Sequence, residues 1–449
     1  MTARLTSAPP TRMGRRARRE IVGYLVAYNL MLAGLFPVLV FWLAWRALVR
    51  RKPMGSWRHR FGLVPRIAAR ARPRIWLHAV SAGEMMAARP VLRALRDAFP
   101  AAAIVVSTIT PAGMAVAGRN CREADALFYL PFDWPDTMAL ALWRVQPDLL
   151  VLAEKELWPN LLGLARLLGA RVLLVNGRVS HRMVRRSRAL PGFARWLHRL
   201  PDFHCVQSDE DARRLAALGV PPECVAVTGN TKVDAMAERD PEAERRLRRD
   251  LDVSPGDVWL VAGSTHPGEE EAVVEAFGLI RARLPSARLL VAPRHLERVP
   301  AVSAALAQRG LSVVRRSEGP GSPEAAVVLD TMGELSSAYA LATAAFVGGT
   351  LVHIGGHNLL EPVAAGKPVL FGPHTEACAD VADLVLAAGV GVPITGARDL
   401  ADRFLEIEGH PDLRRRIADR AAALIAQQRG AASRCAAVAR KLLAAGGIR

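Results

Sequence analysis

Strand-length apolar runs alternate with helical stretches along this chain, and after one charged interruption the alternation starts again. The first set of runs falls at 74–80, 103–108, 149–153, 172–176, 205–207 and 225–228, with Ala-, Leu- and Arg-rich segments such as 87–98 and 161–169 between them. The stretch 235–257 is dense in charge. Beyond it come runs at 259–262, 288–292, 312–314, 326–329, 344–347 and 368–371, and then a helical tail at 401–443. Short strands separated by helices form right-handed crossover units and a parallel sheet. The pattern therefore predicts an α/β protein of two doubly wound domains, 50–240 and 241–449, facing an interdomain cleft with the carboxyl edge of each sheet. A chain of 449 residues, 51% hydrophobic, is long enough for two such cores. No low-complexity tract or short-period repeat interrupts it.

The net charge of +18 is concentrated at one end. Residues 1–72 carry fifteen Arg and Lys against a single acid, Glu20. Inside that basic region, the 25 residues 21–45 contain no charge, more than the roughly 20 needed to cross a bilayer. Tyr24, Tyr28, Trp42 and Trp45 sit near its ends, as interfacial aromatics do. No small-residue cleavage site follows. We read residues 1–20 as a basic extension and 21–49 as an uncleaved membrane anchor, crossing or lying in the bilayer, with anionic lipids as its partners. Basic charge confined beside an apolar segment, without interleaved base-stacking aromatics, argues against nucleic acid. Five scattered cysteines with no CxxC fit a reducing compartment and exclude a disulfide framework or a structural zinc site.

The polar motifs fall at strand-to-helix junctions, where α/β sheets bind ligands. Gly355-Gly356-His357-Asn358-Leu359-Leu360-Glu361-Pro362 follows an apolar run; its glycines let backbone amides approach an anion, Asn358 can cap the next helix, and Glu361 can take ribose hydroxyls. A plain αβ turn is the competing reading. Gly263-Ser264-Thr265-His266-Pro267-Gly268 is a second candidate phosphate cradle, with Ser264 within it. Pro293-Arg294-His295 offers a guanidinium to phosphate or carboxylate. Thr331-Met332-Gly333-Glu334 reads equally well as a capping box. In the first half, Ser81-x-x-Glu84 is either a capping box or a cleft-facing general base. Glu154-Lys155-Glu156 closes a strand and Lys232 lies in Gly229-Asn230-Thr231-Lys232-Val233-Asp234; acidic turn and solvated lysine are their bland readings. There is no GxxxxGK[ST], GxSxG, HExxH or metal-binding acid pair, so no metal and no cofactor are expected.

Taken in order, these stretches resemble the 3-deoxy-D-manno-octulosonic acid (Kdo) transferases of lipopolysaccharide synthesis, from about residue 26 to the C-terminus. The pieces are Arg58-His59-Arg60-Phe61-Gly62, His78-Ala79-Val80-Ser81-Ala82-Gly83-Glu84, Leu130-Pro131-Phe132-Asp133, Glu154-Lys155-Glu156-Leu157-Trp158-Pro159-Asn160, Asn176-Gly177-Arg178, then the turns at 229–234, 263–271, 292–295, 331–335 and 355–362. The resemblance implies an inverting GT-B enzyme with two Rossmann-like domains, the first binding acceptor and the second the donor CMP-Kdo. It implies a catalytic base at Glu84 and transition-state support from Glu154 and Lys232. Pro293, Arg294, Met332, Gly333, Glu334, Asn358, Leu359, Leu360 and Glu361 are implied to hold CMP. The implied acceptor is the phosphorylated glucosamine disaccharide lipid A precursor, at the inner membrane with the catalytic domains cytoplasmic. Two positions depart from the family pattern: Lys155 stands where Thr is usual, and Thr375-Glu376 follows Gly372-Pro373-His374 where Asn-Phe is common. Alternatives from the residues are another GT-B enzyme using a nucleotide-diphosphate sugar, a nucleotide-sugar 2-epimerase, or a membrane-anchored nucleotide-sugar-binding protein.

Overall fold

A computed structural model describes residues 14–48, 55–67, 72–236, 241–319 and 325–447. Residues 1–13 of the expected basic extension, and the basic run 50–52, lie outside them. The chain divides into two units, the first ending at Ala235 and regaining the chain from Gln428, the second spanning Met236–Gln427.

The first unit contains seven strands, β1 (Arg74–His78), β2 (Ala103–Thr108), β3 (Ala126–Tyr129), β4 (Leu149–Ala153), β5 (Arg171–Gly177), β6 (Phe203–Val206) and β7 (Val225–Val227). They form one parallel sheet in the order β3-β2-β1-β4-β5-β6-β7. Helices cover both faces, so the central strands have no solvent side and read as continuous apolar runs. Alternation then splits each strand between two cores. Ile75 and Leu77 of β1 pack with the helix Ala82–Ala98, and Trp76 faces the opposite layer with Ile21, Leu25 and Trp196.

The second unit repeats the plan with β8 (Trp259–Thr265), β9 (Arg288–Pro293), β10 (Val313–Arg315), β11 (Ala326–Val328), β12 (Ala344–Val347), β13 (Val369–Phe371) and β14 (Gly391–Pro393). The order is β10-β11-β9-β8-β12-β13-β14, again parallel. Each sheet reverses its strand order once, between β1 and β4 and between β8 and β12. Crevices outside the carboxyl ends of such strand pairs are where ligands bind in this architecture.

Two features differ from the sequence reading. The edge strands β3 and β14 had no counterpart among the predicted runs. The C-terminal helix Ala431–Ala445, expected in the second domain, belongs to the first unit. There Val438, Leu442 and Leu443 are buried in the same core as the helix Ala82–Ala98, each worth about 1.5–3 kcal/mol relative to exposure. Asp234 fixes its start, accepting the N–H groups of Gly430 and Ala432 at 2.7 Å each.

The first helix, Arg15–Leu48, covers the expected anchor. Its N-terminal half is docked on the first unit. Ile21 and Leu25 are buried, and Tyr24 stacks on Trp196 at 4.8 Å. Asn29 and Asn160 exchange side-chain amide hydrogen bonds of 2.8 and 2.9 Å, and the Tyr28 hydroxyl donates to Asp133. Among the described residues no helix is long and apolar enough to cross a membrane.

Candidate active site

In the first unit the polar residues gather at the carboxyl ends of β1 and β4. Ser81 caps the helix Ala82–Ala98, its hydroxyl accepting the Glu84 N–H at 3.3 Å. Glu84 Oε2 in turn accepts the Val80 N–H at 2.7 Å. The capping geometry is therefore real, and it aims rather than buries the carboxylate: Glu84 stays partly exposed. Its pKa is raised, first by desolvation and further by the charge of Glu154, while the Val80 hydrogen bond opposes the shift. Val80 is itself held, since the Thr108 hydroxyl donates to its carbonyl at 2.9 Å.

At the end of β4 the backbone turns at Glu154, whose φ of 58° is left-handed, a conformation that costs a non-glycine residue of order 1–3 kcal/mol. The turn buries Glu154, exposes Lys155 and leaves Glu156 half-buried. Glu154 Oε1 lies 3.2 Å from Lys232 Nζ. Lys232 is placed by a chain of backbone clamps. Its N–H donates to Asn230 Oδ1, the Thr231 N–H donates to Asn176 Oδ1, and the Thr231 hydroxyl donates to the Ala87 carbonyl. Glu156, noted in the sequence beside Glu154 but given no catalytic role there, is pushed up to about 7, by burial and then by the charge of Glu84. Its signal was the Glu-x-Glu spacing on a turn, which leaves both acids near one site.

In the second unit the corresponding turns meet at the ends of β8, β9 and β12. Glu269 is fully buried and accepts four backbone N–H groups, those of His266, Gly349, Thr350 and Leu351, at 2.6–3.1 Å. That single carboxylate ties the Gly263–Gly268 turn to the loop after β12. Ser264 lies in the former with a left-handed φ of 56°. The Arg294 N–H donates to the Thr265 carbonyl at 3.0 Å. Its guanidinium is exposed and has no ion-pair partner among the described residues.

After β12, Gly355 and Gly356 take φ values of 99° and 90°, open to glycine alone at no steric cost. Asn358 Oδ1 accepts the Leu360 N–H, and its amide donates to Glu361 Oε1 at 3.1 Å. Burial raises the Glu361 pKa. The side chains of Leu359 and Leu360 are fully buried, so only their backbone is available to a ligand. Met332-Gly333-Glu334 follow β11, farther along the sheet. Met332 is exposed and Glu334 binds the Thr331 hydroxyl and Arg316. Among the described residues no three His, Cys, Asp or Glu side chains gather as metal ligands.

Each unit thus places acids and a cation outside the carboxyl ends at its point of strand reversal. The arrangement suits proton abstraction in the first unit and anion or nucleotide binding in the second.

Residues 55–235 match a family model described as 3-deoxy-D-manno-octulosonic-acid transferase (kdotransferase). A 3-deoxy-D-manno-octulosonic acid transferase of Bordetella pertussis is 34% identical over 91% of this chain and 96% of its own length. One from Haemophilus influenzae is 31% identical over 80% and 85%. A solved structure of a putative UDP-N-acetylglucosamine 2-epimerase from Listeria monocytogenes superposes with a TM-score of 0.58, covering 82% of this chain and 96% of that one at 16% identity. That likeness shows a shared two-domain α/β fold of the GT-B kind.

Proposed function

The chain belongs to the Kdo transferase family and is therefore a glycosyltransferase; from that premise we propose that it moves Kdo from CMP-Kdo to a hydroxyl of the phosphorylated glucosamine disaccharide lipid A precursor. The observation that carries this reading is the cluster at the reversal point of the first sheet, where a partly exposed carboxylate, Glu84, stands beside the Glu154–Lys232 ion pair.

Glu84 is the base. It takes the proton of the acceptor hydroxyl as that oxygen attacks the anomeric carbon of Kdo. The bond to the CMP phosphate oxygen breaks on the opposite face, and CMP leaves with the bonding electrons, giving inversion through an oxocarbenium-like state. A phosphate ester oxygen is a weak base, so no general acid is required. Lys232 and Arg294 stabilise the negative charge that develops, and Glu154 keeps Lys232 in place. On the donor side, Ser264 and the Arg294 guanidinium receive phosphate; the N–H groups of His266 and Gly268 in the same turn are already bound to Glu269 and Glu271. Pro293, Met332, Gly333 and Glu334 border the cytosine, and Asn358 through Glu361 take the ribose.

The same reading puts the protein on the cytoplasmic side of the inner membrane. Val22, Val26 and Leu30, spaced four residues apart, leave an exposed apolar stripe on the helix Arg15–Leu48, away from the docked Ile21 and Leu25. Such a stripe, flanked by arginines, suits the headgroup boundary of anionic lipid.

The test is transfer by purified, detergent-solubilised protein supplied with the tetra-acylated precursor and either CMP-Kdo or UDP-N-acetylglucosamine. Product mass increased by Kdo with the first donor alone supports the proposal. Turnover of the UDP-sugar, with CMP-Kdo untouched, rejects it.

A further inference from the structure

Two imidazoles touch at the reversal point of the second sheet, and neither has a part in the donor contacts named above. His266, in the turn after β8, and His357, directly before Asn358, meet edge to edge and nearly coplanar, with ring planes 7° apart and centroids at 5.1 Å. Their Nε2 atoms are 2.8 Å apart. Two nitrogens at that distance need one proton between them, because two N–H groups or two lone pairs would repel.

The surroundings keep a second proton away. Burial lowers the pKa of both rings, and His357 is pushed down to about 4, with His266, Arg294 and His295 adding to the effect. The groups facing the pair are Glu269 and Glu270 from the helix Glu269–Arg283 and Arg294 and His295 from the turn after β9. His295 meets His266 edge-on at 5.7 Å. Both acids are already committed, Glu269 to four backbone N–H groups and Glu270 to Arg298 at 2.6 Å.

The Gly356 N–H donates to the Gly349 carbonyl at 2.7 Å and the Ala377 N–H to the Gly355 carbonyl at 2.8 Å, so the backbone of this loop is held from its own side of the sheet, and the imidazole contact adds a side-chain tie to the turn after β8. Gly355 and Gly356 impose no side-chain constraint, and a Cβ on Gly349 would lie 3.0 Å from the His357 ring, so the backbone closes tightly around that imidazole. We propose that His266 and His357 are positioning residues for the donor nucleotide: one proton shared between their Nε2 atoms ties the Gly355–Asn358 turn to the Gly263–Gly268 turn and so presents Asn358 and Glu361. This rests on the donor-site reading and deepens it. Entry of a second proton sets N–H against N–H and opens the contact, so donor affinity falls as pH drops below the ordinary histidine range.

The experiment uses the full chain in detergent, with CMP as the probe in calorimetry and CMP-Kdo in kinetics. His266→Phe keeps a flat ring at this position and removes the hydrogen bond. Its Kd for CMP and KM for CMP-Kdo should rise about fivefold or more, the loss of roughly one hydrogen bond, with kcat little changed. His266→Gln, which can donate and accept, should recover most of the affinity. Wild-type affinity for CMP should hold through the ordinary histidine range and fall only below it, towards pH 4, and the Phe variant should lack that fall. Wild-type affinity in His266→Phe, or a pH profile that still falls, overturns the proposal. Should that variant not fold, His357→Leu, which likewise removes the hydrogen bond, is read on the same terms.

Long-range proton–nitrogen spectra of the imidazoles supply a readout that needs no ligand. One protonated and one bare Nε2 are expected at neutral pH, and two protonated Nε2 atoms overturn the shared proton. A wild-type protein that binds no CMP ends the donor reading, while these spectra still decide the pairing.

Discussion

Lys232 Nζ lies 3.2 Å from Glu154 Oε1, joining the last turn of the first sheet to the left-handed turn that ends β4. The carboxylate is buried and the ammonium about one-third exposed. Lys232 therefore has one face towards solvent and one fixed to an acid, which is the position of a cation meant to meet a ligand.

Lys232→Met leaves the buried Glu154 carboxylate unpaired. Transfer should fall by about 10²–10³, as on removal of one group that stabilises transition-state charge. Stability should drop by about 1–3 kcal/mol, the cost of an unsatisfied buried acceptor. Single-turnover rates and urea denaturation measure the two separately. A stability loss without a rate loss would mark the pair as structural.

Glu84→Gln separates base from cap. The amide oxygen of Gln can still accept the Val80 N–H, so the helix start survives, but it cannot take a proton at neutral pH. Turnover should fall by about 10²–10⁴ with an unchanged thermal midpoint. A variant with wild-type turnover would return Glu84 to a capping role.

The carboxylates also predict a pH profile. Glu84 is raised and Glu156 stands at about 7, so the pair should give kcat/KM an acid limb above the ordinary carboxylate range, belonging to both residues together. Glu156→Gln removes a neighbouring negative charge, and the limb should move to lower pH. The linkage has the opposite sign from a salt-bridged acid. Between 4.5 and about 7 the folded state binds more protons at Glu156 than the unfolded state does. Stability is therefore lost as pH rises through that window. Glu156→Gln should raise the thermal midpoint at alkaline pH and do little at pH 4, as checked by scanning calorimetry.

Glu269→Gln replaces an acceptor-only group with one that carries an NH₂. Two of the four backbone N–H groups now served would face a donor. At about 1–3 kcal/mol for each group left unpaired, the loss should be about 2–6 kcal/mol in urea denaturation, with CMP binding lost in parallel.

The stripe on the first helix is tested by Val26→Asp with Leu30→Asp. Both side chains are more than half exposed, so folding should be unaffected. Flotation with vesicles containing phosphatidylglycerol should weaken by about tenfold or more, at a cost of a few kcal/mol for placing carboxylates in the apolar boundary.

The central strands were legible because burial on both faces demands unbroken apolar runs, and β2, β4 and β12 fall at the residues expected. The strands β3 and β14 were not. Each lies at a sheet edge; β14 is three residues long and closes on a proline, whereas Ala126-Leu127-Phe128-Tyr129 of β3 is as apolar as the predicted edge strand β7 and was not read as a strand. The Ser81–Glu84 spacing could not separate cap from base because both roles use the same two side chains. In the folded protein the cap is formed and the carboxylate is still partly exposed.

What the chain determined by itself was therefore the alternation of strand and helix, the turns at which polar residues collect, and a run of motifs in family order. These are local properties, written in residue spacing, in the backbone freedom of glycine and in the apolarity that a covered sheet requires. Tertiary structure decided which turns are neighbours. Strand order sets Glu84 beside Glu154 and Lys232, draws His266 onto His357, and brings the helix Ala431–Ala445 back to the first unit. An apolar helical face binds any complementary core, and a polar turn carries no record of its partner. Only the closed packing of each unit selects among them.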